Sequence, residues 1–353
     1  MHRSPYRAIL IALILAVGSF AVAACGSDDD EGSGGSSASS TSTAAKPAAK
    51  KIKVGLVTDI GGLNDRSFNA LANKGLEDAK SKLGIEGRVL ISKSNADYVP
   101  NLSTLAQQKY DLVIAVGFLM ASATEKVAKK FPDVKFAIID SSAPAMKSKP
   151  TNVEGLLFKE QEAGYLVGYL SGLYAKDNSA TSIGSIGGLK IPPVDHYIAG
   201  YQAGAKAADP SVKTLNGYSQ DFVDQAKCKE IALDQISKGA KVVFQVAGQC
   251  GLGALDAAKQ EKAQGIGVDA DQSFLGAHIL TSAMKKIDVA VFEAVKSVQD
   301  DAFQAGTDKV FEVKNEGVDI GKTNEAGAKY ADQIEEVKQQ LAAGEIDVPD
   351  TVK

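Results

Sequence analysis

The sequence predicts an α/β fold of two Rossmann-like lobes, each built around a parallel sheet, with a ligand cleft between the lobes. Three observations lead to this prediction. From residue 51 onward, short apolar runs alternate with amphipathic stretches, as in βαβ units around parallel sheets. This region of roughly 300 residues is longer than most domains with a single hydrophobic core, so two domains are expected. Polar or glycine-rich loops follow several apolar runs, at the position where α/β proteins hold ligands.

The first 24 residues read as a secretory signal that lies outside the fold. Arg3 and Arg7 precede an apolar run from Ala8 to Val22, which is shorter than the ~20 residues that a spanning helix needs. Small residues then precede Cys25, as in a bacterial lipobox. We therefore expect Cys25 to carry lipid and to anchor the chain without crossing the membrane. An ordinary signal peptide with an incidental cysteine is the alternative.

Residues 25–50 contain hardly an apolar side chain large enough to bury in a core and are rich in Gly, Ser and Ala, so they are expected to form a flexible linker after the lipidated cysteine. The elements of the fold follow from residue 51. Strand candidates lie at residues 53–58, 88–92, 111–116, 135–140, 153–158, 181–186, 212–217, 241–247, 264–268 and 277–281. Helix candidates lie between most of them, at residues 65–83, 119–130, 159–175, 195–208, 224–238 and 251–262.

The stretch VGLVTDIGGLNDRSFN at residues 54–69 joins the first strand candidate to the first helix candidate. The apolar run ends at Asp59, and the Gly-Gly pair that follows permits positive φ angles. Asn64 and Asp65 are N-cap candidates for the helix. This arrangement indicates a ligand-holding loop at the carboxyl end of a strand. An ordinary βα turn, with Phe68 in the core and Asp65 only a cap, is the alternative.

Composition and motifs argue against several other classes of protein. The formal net charge is −4 without a Lys/Arg stripe, so no nucleic-acid partner is expected. His196 and His278 lack metal-ligand spacing and are expected to be hydrogen-bonded surface or hinge residues. The chain has no GxSxG elbow, no Walker A lysine loop and no Cys-x-x-Cys pair. We therefore expect no enzyme activity, no metal site and no cofactor.

The segment IGSIGGL at residues 183–189 follows a strand candidate and invites comparison with a dinucleotide-binding loop. A true fingerprint opens directly into a helix whose N-terminal N–H groups receive the pyrophosphate. Here Pro192 and Pro193 remove two N–H donors at the helix start. The segment is better interpreted as a place where glycines allow close backbone approach at the cleft.

Five segments together resemble one known family. TDIGGLNDRSFN resembles the signature loop of the basic membrane protein family, lipoproteins that bind purine nucleosides for ABC importers. Four later segments fit the same family in order, and the likeness extends from about residue 52 to the C-terminus. They are AVGFLM at 115–120, FKEQEAGYLVGYLSGLYA at 158–175, IGSIGGLKIPPVDHYIAGYQAG at 183–204, and the stretch from FQVAG to IGVDADQ at 244–272.

The resemblance implies a type I periplasmic-binding-protein fold, in which the chain crosses between the lobes more than once and the lobes close by a hinge motion. We place the N-terminal lobe at residues 51–157 plus about 282–306. The C-terminal lobe takes residues 158–281 plus about 307–345. These boundaries put the first crossing near residues 155–160 and the return near residue 280.

The function that the resemblance implies is non-enzymatic capture of a purine nucleoside or a related small ligand. The protein is then a monomeric lipoprotein on the extracytoplasmic face of the cell membrane. It delivers its ligand to an ABC permease that is driven by a separate ATPase. A sensor of the same fold, which reports the ligand to a membrane receptor, is the alternative, because transport and sensing use the same cleft.

The resemblance also implies which residues hold the ligand. Phe68 and Phe244 resemble the family's stacking pair, one from each lobe, although Phe244 sits inside VVFQV and a core position is its alternative. Asn64, Asp65 and Asp140 are assigned to the base edge. Asp269 and Lys285 are assigned to the ribose, since a carboxylate accepts hydrogen bonds from two adjacent hydroxyls. For these polar residues, and for Lys285 above all, a helix cap or a solvated strand end is the alternative. Asp59 and Gly248 complete the candidate site.

Cys228 and Cys250 are predicted to form a disulfide. The family's loop reads AGGTG-like, whereas here it reads AGQCG, and a second cysteine lies earlier in the chain. The expected compartment is oxidising. A helix start and the end of the next strand lie at the same edge of a sheet, which suits the ~4.4–6.8 Å between Cα atoms that a disulfide requires. Two unpaired buried thiols are the alternative.

Overall fold

The computed structural model describes residues 50–352, so the predicted signal, Cys25 and nearly all of the predicted linker lie outside the described residues. The strands in chain order are β1 (Lys53–Val57), β2 (Glu86–Leu90), β3 (Leu112–Ala115), β4 (Lys135–Ile139), β5 (Val153–Phe158), β6 (Ser182–Gly187), β7 (Lys213–Tyr218), β8 (Ala240–Val246), β9 (Gln264–Asp269), β10 (Ile279–Lys285), β11 (Asp308–Phe311) and β12 (Val318–Ile320). Every predicted strand overlaps one of these.

The helices follow the strands in the alternation that the sequence predicts. They are α1 (Phe68–Leu83), α2 (Tyr98–Gln107), α3 (Ala121–Lys130), α4 (Glu160–Asp177), α5 (Pro192–Ala208), α6 (Gln225–Ser237), α7 (Gly248–Gln260), α8 (Ile287–Gln299), α9 (Glu325–Ala328) and α10 (Ala331–Ala343). No helix within residues 50–352 is long and apolar enough to cross a membrane.

The strands form two six-stranded sheets, one in each lobe. The first sheet has the order β11-β5-β4-β3-β1-β2, and all of its pairs are parallel. The second has the order β12-β10-β9-β8-β6-β7 and is parallel except for the β10–β12 pair. Strands β1, β3 and β4 of the first sheet are buried except for the first residue of β1 and of β4, as expected of parallel strands covered on both faces. The predicted two-lobe α/β fold is confirmed.

The chain crosses between the two sheets three times. It leaves the first sheet after β5, returns to the first lobe between β10 and α8, and leaves again between β11 and β12. Several contacts hold the crossing segments together. The rings of Phe158 and Phe311 stack 4.9 Å apart, the Lys159 N–H donates to the Phe311 carbonyl at 2.9 Å, and the Lys286 N–H donates to the Gly317 carbonyl at 2.9 Å. The hinge is therefore a bundle of three neighbouring segments.

The predicted lobe boundaries are wrong near the C-terminus. The sequence placed residues from 307 onward in the C-terminal lobe, but β11 pairs with β5 in the first sheet. The return to the first lobe also falls after Lys285, where β10 ends, and not near residue 280. The sequence did not predict β11 or β12. Their sequences, DKVF and VDI, are short and contain charged residues, so they lack the apolar run of a central strand.

Helices α4 and α5 approach each other unusually closely in the second lobe. A Cβ atom on Gly168 would lie 2.2 Å from the Tyr201 carbonyl oxygen, and one on Gly204 would lie 2.1 Å from the Tyr165 carbonyl oxygen. Only glycine permits this backbone-to-backbone packing. The contact fixes the start of α4, which leads out of the hinge, against α5, whose first turns face the cleft.

Candidate functional site

A cavity lies where the carboxyl ends of the two sheets face each other, and both lobes line it. Its polar lining includes Asp59, Asp65, Asn69, Asp140, Gln249, Asp269 and Lys285. Its apolar lining includes Ile60, Phe68, Phe118, Ile191, Pro193, Val194, Tyr197, Phe222, Val246 and Val268, and the backbone of Gly117 and Gly248 completes it. Seven of the predicted ligand-binding residues therefore meet here: Asp59, Asp65, Phe68, Asp140, Gly248, Asp269 and Lys285.

Strand ends supply the charged groups of the cavity. Asp140 follows β4, Asp269 ends β9 and Lys285 ends β10. Asp140 and Asp269 both adopt the left-handed backbone conformation, with φ of 66° and 61°. Asp tolerates this conformation better than most residues, and it bends the chain at the point where the strand stops. The backbone thus ends each strand with its carboxylate at the cleft.

Lys285 lies at the centre of a buried charge cluster. Its Nζ atom is 2.6 Å from Asp140 Oδ1 and 2.8 Å from Glu160 Oε1, and its side chain is only 1% exposed. Burial disfavours the ammonium, but the carboxylates of Asp140, Glu160 and Asp269 outweigh burial and raise the pKa of Lys285. The same ammonium lies over the rings of Phe158 and Phe68, at 4.8 and 5.4 Å from their centroids.

The cluster extends to two residues that the sequence did not assign to the site. Glu160 Oε2 lies 3.1 Å from His196 Nδ1. Burial favours the neutral form of Glu160, but Lys285 and His196 overcome it and lower the pKa of this carboxyl. For His196, burial is outweighed by Glu160, which raises the pKa of the imidazole. Glu160 begins α4, directly after the first crossing, so the cluster connects the cavity to the hinge.

Asp65 and Asp59 are held mainly by their own lobe. Asp65 caps α1, since its carboxylate accepts from the backbone N–H groups of Ser67, Asn69 and Ala70 at 2.7–3.1 Å. Asp59 accepts from the Tyr98 hydroxyl and from its neighbour Ile60 N–H. Burial is the main cause that raises the pKa of Asp59 to about 6. Both carboxylates line the cavity while they also organise the first loop.

The structure does not place Phe244 in the cavity, so its predicted stacking role is wrong. Phe244 is fully buried, and its ring packs against Tyr201 and Tyr197 at centroid distances of 5.1 and 6.0 Å. Strand alternation directs this side chain into the core. Phe222 lines the cavity instead, from the loop between β7 and α6. Phe222 follows the strand candidate at residues 212–217, and this position at the cleft edge of the sheet was the one feature of the sequence that pointed to it.

Asn64 is also outside the cavity, so its predicted base contact is not supported by this geometry. Its side chain is exposed and lines a separate outer groove between the lobes. Gly117 was not predicted, and it lines the cavity with a φ of 115°. A Cβ atom there would lie 2.7 Å from Asp59 Oδ2 and 3.2 Å from Phe68 Cε1. Glycine therefore keeps room for both side chains.

The structure joins Cys228 and Cys250 in a disulfide, with their Cα atoms 5.6 Å apart. Cys228 lies in the first turns of α6 and Cys250 in the first turn of α7. The Cys250 N–H donates to the Phe222 carbonyl at 3.0 Å, and Gly248 and Gln249 line the cavity just before it. The covalent link therefore lies directly behind one wall of the site.

Buried carboxylates with raised pKa values predict a pH dependence of stability. Burial is the largest cause that raises the pKa of Asp140 to about 7, of Glu154 to about 7 and of Asp59 to about 6. A group whose pKa is raised on folding binds more protons in the folded state, so its contribution to stability is lost as pH rises through the folded pKa. The raised pKa of His196 acts in the same direction.

We therefore expect the melting temperature of the ligand-free protein to rise by a few degrees from pH 8 to about pH 5.5. In the acid range below the ordinary pKa of a glutamate it should fall, because the lowered pKa of Glu160 contributes stability that is lost as the pH falls through that pKa. Thermal melts across this pH range, followed by circular dichroism, measure both the rise of the melting temperature and its fall at lower pH. A melting temperature that increases steadily from pH 5.5 to 8 contradicts the assignment.

Two sheets with a shared cleft and three crossing segments define a solute-binding protein of the type I periplasmic class. A solved ABC-transporter solute-binding protein from Aeropyrum pernix has this fold, with a TM-score of 0.77 and 27% identity over 86% of this chain and 94% of that chain. A solute-binding protein from Conexibacter woesei also has it, with a TM-score of 0.67 and 25% identity over 86% of this chain and the whole of the other.

Sequence comparison identifies the family. The family model described as ABC transporter substrate-binding protein, PnrA-like, matches residues 52–352. The ABC transporter nucleoside-binding protein BmpA of Lactococcus lactis is 34% identical over 84% of this chain and 89% of its own length. An uncharacterized lipoprotein of Pyrococcus abyssi is 38% identical over 74% of this chain and 67% of its own length. The chain belongs to this Bmp family of substrate-binding proteins of ABC transporters, which are not enzymes.

Proposed function

We propose that the protein captures a purine nucleoside, or a close relative, between its lobes and delivers it to an ABC permease for import. One observation carries the proposal: the cavity combines aromatic side chains from both lobes with strand-end carboxylates. Phe68 comes from the first lobe and Phe222 from the second, so they are candidates to contact the two faces of one base. The L. lactis relative, named as nucleoside-binding, supports the same assignment.

The charges of the lining favour an uncharged ligand that is rich in hydrogen-bond donors. Within the described residues the lining contributes one cation, Lys285, which is already paired with Asp140 and Glu160. Four aspartates also line the cavity, and a carboxylate accepts from two adjacent hydroxyls, as a ribose presents them. An anionic ligand such as a nucleotide would meet net negative charge. Asp269 and Asp140 are the proposed acceptors for sugar and base groups.

The proposed place of action is the outer face of the cell membrane, with Cys25 as the lipid attachment point. Relatives named as lipoproteins support this placement. A permease and a separate ATPase are the partners that the family implies.

A thermal-shift screen of nucleosides, free bases, sugars and amino acids tests the ligand class. We expect inosine, guanosine or adenosine to raise the melting temperature and arabinose or amino acids to leave it unchanged. Isothermal titration of the strongest hit then gives the affinity. A shift with sugars alone, or no shift with any purine nucleoside, overturns the proposal. Intact nucleoside recovered after hours of incubation confirms that binding occurs without hydrolysis.

Replacing Phe68 by alanine tests the stacking surface. The loss of one base-stacking ring is expected to cost ~1–3 kcal/mol of binding free energy, or about a 10- to 100-fold increase in Kd. Phe68 is only partly buried at the cavity edge, so the melting temperature without ligand should change little by comparison. Titration calorimetry and a ligand-free melt measure the two effects. Unchanged affinity with a sharply lowered melting temperature would mean that Phe68 is a core residue.

A further inference from the structure

A set of direct contacts joins the two lobes beside the cavity. We define the clasp as Arg66 and Ser67 of the first lobe with Val268, Asp269 and Gln272 of the second. Ser67 Oγ lies 2.7 Å from Asp269 Oδ2 and 3.2 Å from the Val268 carbonyl oxygen. Gln272 Nε2 donates to the Arg66 carbonyl at 3.3 Å. These bonds exist only while the lobes are closed.

Ser67 is available for this contact because another residue caps its helix. Ser67 occupies the N-cap position of α1, where a serine side chain ordinarily accepts a backbone N–H. Here Asp65 accepts those N–H groups, and the Ser67 side chain makes no capping bond. Its hydroxyl, fully buried, points across the cleft instead. A hydroxyl has one hydrogen, and the nearer, charged acceptor is Asp269.

Other residues of the second lobe hold the side chains of Asp269 and Gln272 in the clasp. Asp269 Oδ1 accepts from the Tyr197 hydroxyl at 3.3 Å, so each oxygen of this carboxylate is held from a different lobe. The Gln272 side-chain oxygen accepts from Gln245 Nε2 at 2.8 Å, which turns the amide nitrogen toward Arg66. Arg66 itself has a φ of 56°, a left-handed conformation that bends the chain where its carbonyl meets Gln272.

We propose that Ser67 is a positioning residue: it orients the Asp269 carboxylate toward the cavity, and with Gln272 it stabilises the closed arrangement of the lobes. The assignment of Asp269 to a sugar hydroxyl rests on the proposed function. Lobe closure by the clasp does not depend on it. Because Asp269 is held by Ser67 only in the closed state, closure and ligand recognition share one hydrogen bond. Loss of that bond releases the ligand faster and opens the cleft.

The closure arm of the experiment uses the full-length protein without ligand. Spin labels are attached through a ketone-bearing amino acid at positions 93 and 230, which are exposed on the first and second lobes, so the native cysteines stay untouched. Pulsed dipolar spectroscopy then measures the distance between the labels. We expect a closed population in the unmodified protein and an open-to-closed ratio about 10-fold higher in Ser67→Ala, the size expected for a hydrogen bond to a charged group.

Ser81→Ala is the matched control, because Ser81 lies on the same helix, is exposed and donates only to the Asp78 carbonyl within α1. It should leave the ratio unchanged. Ser67→Cys, with similar size but a weaker donor, should give an intermediate ratio and serves if the alanine variant folds poorly. A Ser67→Ala ratio within 2-fold of the parent, or a parent that is entirely open, overturns the proposal.

The ligand arm uses inosine and stopped-flow dissociation. We expect Ser67→Ala to raise the dissociation rate constant about 10-fold without slowing association, and Asp269→Asn to remove most of that sensitivity in the double variant. Additive effects of the two substitutions overturn the positioning role. If neither inosine nor any other purine nucleoside binds while Ser67→Ala still opens the lobes, the proposed function fails and the clasp stands. The two failures are therefore distinguishable.

Discussion

Replacing Lys285 by methionine is expected to lower the free energy of unfolding by about 3–5 kcal/mol at pH 7.5. Methionine keeps much of the length of the side chain but removes the ammonium that lies between Asp140 and Glu160. Both carboxylates are then left in a buried site without their cation, which is the costly way to break a buried ion pair. Ligand affinity should fall as well, because Asp140 and Asp269 lose the charge that holds the cluster together.

Denaturant unfolding followed by circular dichroism measures this loss, since the chain has no Trp to report by fluorescence. Lys309→Met is the matched control: Lys309 pairs with Glu293 at 2.7 Å, but both side chains are 40–48% exposed. It should cost less than about 1 kcal/mol. The Lys285→Met deficit should shrink at pH 5.5, where Asp140, whose pKa is raised by burial, accepts a proton. A Lys285 variant as stable as the Lys309 control would show that the cluster is not needed for folding.

Removing the disulfide is the second large effect. Cys228→Ser/Cys250→Ser opens a loop of 22 residues, which in the chain-entropy model costs about 3 kcal/mol of stability. The affinity for the ligand should also fall, because the Cys250 N–H holds the Phe222 carbonyl and the preceding residues line the cavity. Thermal melts and titration calorimetry of the double variant measure both effects.

Reducing agent gives an independent check. It should lower the melting temperature of the parent protein toward that of the double variant and leave the double variant unchanged. Mass spectrometry of the unreduced protein should find the two cysteines linked. Two free thiols at these positions would contradict the assignment, whatever the stability of the variants.

The strand-end carboxylates of the site were predictable because strand ends are visible in a sequence. Asp140 and Asp269 each stand where a predicted apolar run stops, and parallel strands bring their carboxyl ends to one edge. Lys285 lies beyond the predicted strand at 277–281, and only the family resemblance pointed to it. The sequence did not show in the same way which of Phe244 and Phe222 lines the cavity. Both lie near that edge, and only the pleat of β8 and the packing of Tyr201 decide that Phe244 faces the core.

Contacts between distant segments were beyond the reach of the sequence. Glu160 and His196 join Lys285 because α4 and α5 pack backbone to backbone, a distance set by glycines that have no side chains to signal it. In the sequence Ser67 has the features of an ordinary N-cap residue. Its side chain is free to contact Asp269 because Asp65 accepts the N–H groups at the start of α1. The third crossing depends on β11, whose pairing with β5 no local pattern specifies.

The sequence alone therefore determined the α/β class, the two lobes, the family, the Cys228–Cys250 pair and the strand-end carboxylates, because these depend on local periodicity and on the order of motifs. The tertiary structure decided which aromatic side chains reach the cavity, where the chain crosses between lobes, which acids share Lys285 and which hydroxyl spans the cleft. Those features arise from residues far apart in the chain that meet only when two sheets close on each other, and their geometry is set by packing and not by any single segment.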